Sequence, residues 1–61
     1  MEALNIKCPY GLEKLLLSGH RDNEADIRVT HPNGDCLDVV IDENKAIEIV
    51  NWLKEYFKLT L

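Results

Sequence analysis

The segment from Ala25 to Ile41 constrains this chain more than any other, because its turn decides which residues face which way. Asp26-Ile27-Arg28-Val29-Thr30 alternates polar and apolar, as a half-buried strand does. Leu37-Asp38-Val39-Val40-Ile41 alternates too, with Leu37, Val39 and Ile41 on one face. Between them lies His31-Pro32-Asn33-Gly34-Asp35. A two-residue Asn-Gly loop would set Val29 opposite Asp38, putting apolar residues over charged ones. A three-residue loop, Pro32-Asn33-Gly34, removes the conflict. Pro suits the second position of a type I turn, and Gly takes the left-handed position that follows. Val29 then opposes Leu37, Ile27 opposes Val39 and Ala25 opposes Ile41. On the other face Arg28 opposes Asp38, a pair of opposite charge.

The hairpin runs into a helix. Asp42 is a good N-cap, and Asp42 and Glu43 place negative charge at the positive end of the helix dipole. Lys54 and Lys58 lie near the other end. Ala46, Ile49, Val50, Leu53 and Phe57 recur at helical spacing and form an apolar stripe. It is expected to cover the hairpin face, with Leu53 at its centre and fully buried. Trp52 and Tyr56 lie at one margin of the stripe, and Ile47 lies off the opposite one.

The first 24 residues admit two readings. Leu4 and Ile6 fit a short strand. Pro9 can open a short N-terminal helix that presents Leu12, Leu15 and Leu16 on one face and closes at Gly19. Alternatively, Lys14 to His20 is a third strand that turns through Arg21-Asp22-Asn23-Glu24. Leu15-Leu16-Leu17 does not alternate, which favours the helix.

Sixty-one residues make one domain, 1–61. A domain so small is marginal by itself, and oligomerisation is one usual remedy. The start has no basic region followed by an apolar run, and no stretch approaches the roughly 20 apolar residues that span a membrane. A cytoplasmic location with reduced cysteines is therefore expected.

Seven Lys and Arg stand against eleven Asp and Glu, a net charge of −4. Nucleic acid is therefore not the expected partner, since phosphate binding needs clustered cations. The acidic residues around Asp22–Asp26 and at Asp35, Asp38, Asp42 and Glu43 read as an ordinary solvated surface. Cys8, His20, His31 and Cys36 make a Cys2His2 set by type, but no Cys–Cys or His–His pair stands at the close spacings of zinc ligands, and the expected register puts the closest mixed pair, His31 and Cys36, on opposite faces. No metal site or cofactor is expected. Cys8 and His20 lack an orienting third group, so no catalytic residue is assigned and no small-molecule substrate is expected. His31 reads as a partner of Asp35 across the turn.

Trp52 and Tyr56 remain as candidate contacts, because such side chains bury large area at low entropic cost. Arg28, Thr30, Cys36 and Val40 share the outer sheet face, which is also open to a partner. The strand ending in Asp42, followed by Glu43-Asn44-Lys45-Ala46-Ile47-Glu48-Ile49-Val50-Asn51-Trp52-Leu53-Lys54, resembles the C-terminal half of small phage and prophage accessory proteins. The resemblance covers about half the chain and rests mainly on helix amphipathicity. It implies a compact cytosolic protein that binds a host or phage protein, often as an inhibitor, and it carries over no functional residues.

The expected fold is α+β: an antiparallel hairpin or three-stranded meander packed against one C-terminal amphipathic helix, with the short N-terminal helix as a further element. The expected function is a small non-enzymatic protein-binding module, an inhibitor or accessory protein. Its contacts are Trp52, Tyr56, Ile47, Arg28 and Val40, and its partner is a protein, a second copy included. One alternative is a small nucleic-acid-associated regulator, whose basic patch could be built only from Lys7, Lys14 and Arg21. Another is a structural homodimer with no catalytic role.

Overall fold

The computed structural model describes residues 2–60. Four strands precede one helix: β1 (Leu4–Lys7), β2 (Lys14–Arg21), β3 (Glu24–Thr30), β4 (Cys36–Asp42) and α1 (Glu43–Phe57). The strands form one antiparallel sheet in the order β1-β2-β3-β4, so each strand pairs with its neighbour in sequence. The architecture is α+β as expected, with four strands where the sequence suggested two or three.

The hairpin is built as its turn chemistry dictates. Val29 pairs with Leu37, Ile27 with Val39, Ala25 with Ile41 and Arg28 with Asp38. The Gly34 N–H donates to the His31 carbonyl at 3.0 Å, closing a type I turn over Pro32-Asn33. Gly34 then takes φ 95°, and the His31 N–H reaches the Asp35 carbonyl at 2.7 Å. His31 and Asp35 thus meet across the turn through their backbones. Asn33 Oδ1 also accepts from the Asp35 N–H at 3.0 Å, so the side chain mimics a further turn of backbone.

The N-terminal helix is not formed. Lys14–Arg21 is a strand, paired on both edges. Leu15 opposes Ile6 and Val29, and Leu17 opposes Leu4 and Ile27. Leu16 points to the other face, opposite Asn5 and Arg28. The run of three leucines therefore does not need to alternate. An interior strand has a neighbour on each side, and all three leucines are half-buried among neighbouring side chains. The register shifts between Gly19 and Arg21, leaving His20 as an extra residue, and Asn23 closes the β2–β3 turn at φ 67°. Asn is among the few residues that adopt this conformation readily.

Helix α1 begins without an intervening residue. Asp42 ends β4 and also caps the helix, its Oδ1 accepting from the Lys45 N–H at 2.9 Å. At the other end Lys58 is left-handed, φ 55°. The Leu59 N–H reaches the Lys54 carbonyl at 2.9 Å, and the Lys58 N–H reaches that of Glu55 at 3.3 Å. The helix packs against the sheet chiefly at β4, the strand it leaves.

That contact does not bury the stripe. Leu53, expected at the centre of a core, is 38% exposed, and Phe57 is 59% exposed. On the sheet, Leu37 is 63% and Val39 49% exposed. Among the described residues no side chain is buried. The cause is the junction. Strand-to-helix connections that fold a helix back over its sheet ordinarily use 2–6 residues, and none separates Asp42 from Glu43.

Gly34→Val is expected to destabilise the sheet by about 1 kcal/mol or more, read from the urea midpoint, because φ there is left-handed. A Cβ at Gly34 would meet nothing within 4 Å, so the cost is conformational. Gly19→Ala, also in open space, serves as the control and should not lower the midpoint.

Candidate functional site

Directly opposed residues of antiparallel strands share a face, so the register defines two surfaces. One is apolar across all four strands. Leu4, Leu17, Ile27 and Val39 form one row, and Ile6, Leu15, Val29 and Leu37 form the next. Ala25 and Ile41 continue it toward the helix. The other face carries Asn5, Leu16, Arg28 and Asp38 in one row and Lys7, Lys14, Thr30 and Cys36 in another. Asp26 and Val40 pair beyond them.

The helix leaves an open corner against the apolar face. A hollow of about 750 Å³ lies there, lined by Ala25 and Ile41 of the sheet, Ala46 of the helix, and Asn23, Glu24, Asp42 and Glu43. A second hollow, about 380 Å³, lies on the same face among Leu4, Leu17, Gly19 and Ala25. No residue lining either is buried.

At 100° per residue, the apolar side chains of α1 from Trp52 round to Ile47 span roughly 220° of its circumference. Trp52 stacks on Tyr56, ring centroids 5.2 Å apart and planes within 6°, and Tyr56 meets Phe57 edge-on at 4.9 Å. Trp52 is 61% exposed, Tyr56 67% and Ile47 50%. The five residues expected to bind protein therefore fall in three places. Trp52 and Tyr56 form one aromatic platform, Ile47 lies across the helix from them, and Arg28 and Val40 lie on the polar face of the sheet. Sequence reasoning missed the contribution of β1 and β2 to the apolar face. The signal was the period-two spacing of Leu4 with Ile6 and Leu15 with Leu17, obscured by Leu16.

On the polar face Arg28 grips Asp38 through two hydrogen bonds, Nε to Oδ1 at 2.7 Å and Nη2 to Oδ2 at 3.1 Å. The hydrogen bond from Arg28 holds the Asp38 carboxyl below its ordinary pKa, with partial desolvation opposing. The same bond and the Asp38 charge raise the guanidinium. Lys7 and Lys14 stand directly opposite each other. Arg21 lies at the far end of β2, opposite Glu24, so the three cations do not form one patch. Cys8 and Cys36 are free thiols. Among the described residues, no three His, Cys, Asp or Glu side chains gather as a metal site would require. Among the described residues, no helix is long and apolar enough to cross a membrane.

A comparison of the chain with protein-family models, with curated proteins and with solved structures finds no match.

The Arg28–Asp38 pair makes a pH-dependent contribution. Its folded-state carboxyl pKa is depressed, so the contribution is present above the ordinary carboxylate range and is lost as pH falls through the depressed value. Wild type should therefore have a higher urea midpoint than Asp38→Asn at neutral pH. The gap should close as pH is lowered below the ordinary carboxylate range. It should also narrow in about 1 M salt, because the pair is exposed and screened.

Proposed function

We propose that the chain is a non-enzymatic protein-binding module, of the inhibitor or accessory kind, whose working surface is the apolar sheet face together with helix α1. The observation that carries this reading is that one whole face of a four-stranded sheet is apolar and uncovered. Leu4, Ile6, Leu37 and Val39 are all more than 40% exposed on it. Contiguous apolar patches of this kind on a small protein mark sites that another surface covers. The aromatic platform of Trp52 and Tyr56 adds side chains suited to interface anchors.

The nucleic-acid alternative has less support. The net charge is −4, and of the three candidate cations Lys7 and Lys14 pair at one end of β2 while Arg21 lies at the other. Protein, rather than a phosphate backbone, is the chemistry that an apolar face of this shape recognises.

The test is carbene footprinting of the purified protein, alone over a concentration series and in extract from the native host. A protein that covers the face, its own copies counted, should lower labelling at Leu37 and Val39 while leaving Tyr10, which is 97% exposed, unchanged. The double variant Leu37→Asp/Val39→Asp should lose that protection and keep its far-UV spectrum, since both residues already face solvent. Unchanged labelling at Leu37 and Val39 under every condition would remove the basis for the proposal.

A further inference from the structure

We propose that the partner on the apolar face is a second copy of this chain, each copy laying its helix α1 across the sheet of the other. This rests on the reading that the face binds protein, and it names that protein. Four observations carry it.

The first is area. The chain exposes 5595 Å², whereas a folded monomer of its 7.0 kDa exposes about 4,000 Å². The excess, about 1,500 Å² per chain and so about 3,000 Å² for two copies, lies within the total range that obligate homodimers bury. The second is compactness. The Cα radius of gyration is 12.9 Å, against about 10.5 Å for a compact chain of this length. Both values describe a chain missing a layer of cover.

The third is the junction between β4 and α1. With Asp42 both ending the strand and capping the helix, no residue is left to reverse α1 over its own sheet. Short hinges of this kind favour exchange of an element between copies. The fourth is fit. A 15-residue helix is about 22 Å long, and four strands at about 4.8 Å spacing span about 15 Å. One helix therefore crosses the whole face. Its stripe of Ile49, Val50, Leu53 and Phe57 supplies the apolar cover that Leu37 and Val39 lack. A single contact requires an apolar arc of about 100°, and α1 carries more than twice that. The remaining arc, with Trp52 and Tyr56, faces the second helix near the twofold axis.

The experiment uses the full chain. Sedimentation equilibrium at roughly 100 µM, where a dimer with micromolar Kd is mostly associated, should give twice the 7.0 kDa mass. Emission from Trp52, the sole tryptophan, should move to longer wavelength on dilution as the dimer parts. Val39→Asp on the sheet and Leu53→Asp on the helix should each weaken the homodimer by more than about a hundredfold, since each sets unpaired charge in an apolar contact. An equimolar mixture of the two should recover dimer, because one of its two sheet–helix contacts then has both members intact. Recovery does not depend on either variant folding alone. A wild type that stays monomeric overturns the proposal, as does a wild-type dimer whose two variants fail to complement. If the monomer's Leu37 and Val39 are nonetheless protected by a protein from the extract, the binding reading stands and only the second copy falls. If nothing protects them, both fall.

Discussion

Because side chains alternate faces along a strand, the number of residues in the turn between β3 and β4 decides which face every residue of β4 meets. Three residues, ending in Gly34 at φ 95°, bring Leu37, Val39 and Ile41 onto the face of Ile27 and Val29. A turn one residue shorter would set Val29 against Asp38 and interleave charge with the apolar rows. The same parity aligns Arg28 with Asp38 on the far side. Asp42 then arrives at the strand end with its carboxylate placed to cap the helix.

The parts of the fold that were legible in the sequence are those set by local chemistry. The Pro-Asn-Gly loop has one backbone solution compatible with the alternation around it, and the cap at Asp42 needs only its own first turn. The parts that were not legible depend on neighbours. Leu15-Leu16-Leu17 reads as helical by periodicity, yet it lies in a strand because β1 and β3 flank it on both edges. The stripe of α1 reads as a core stripe and carries the right residues. Whether they are buried depends on what lies opposite, which no periodicity reports. Leu53 at 38% exposure shows the difference between having an apolar stripe and having a core.

The candidate site was legible in the same uneven way. Trp52 and Tyr56 stand out by residue type, and their stacking follows from four-residue spacing on a helix. The sheet face did not stand out, because half of each four-strand row comes from β1 and β2. Only the complete register shows that every row across it is apolar. Arg28 and Val40, chosen as outer-face residues, lie on the polar side. There the bidentate Arg28–Asp38 pair uses the charge it carries internally, leaving less of it for a partner.

The order β1-β2-β3-β4 also has a kinetic meaning. Every pairing is between strands adjacent in sequence, so the sheet closes only short loops as it forms. Topologies dominated by local contacts fold quickly. On the proposed dimer, covering the apolar face by a second copy would be a separate, bimolecular event whose rate scales with concentration. A newly made chain would therefore complete its sheet well before that face is shielded. In that interval it would present the same surface to chaperones and proteases that it later withholds. The abundance of the chain would thus set how long it remains in that exposed form.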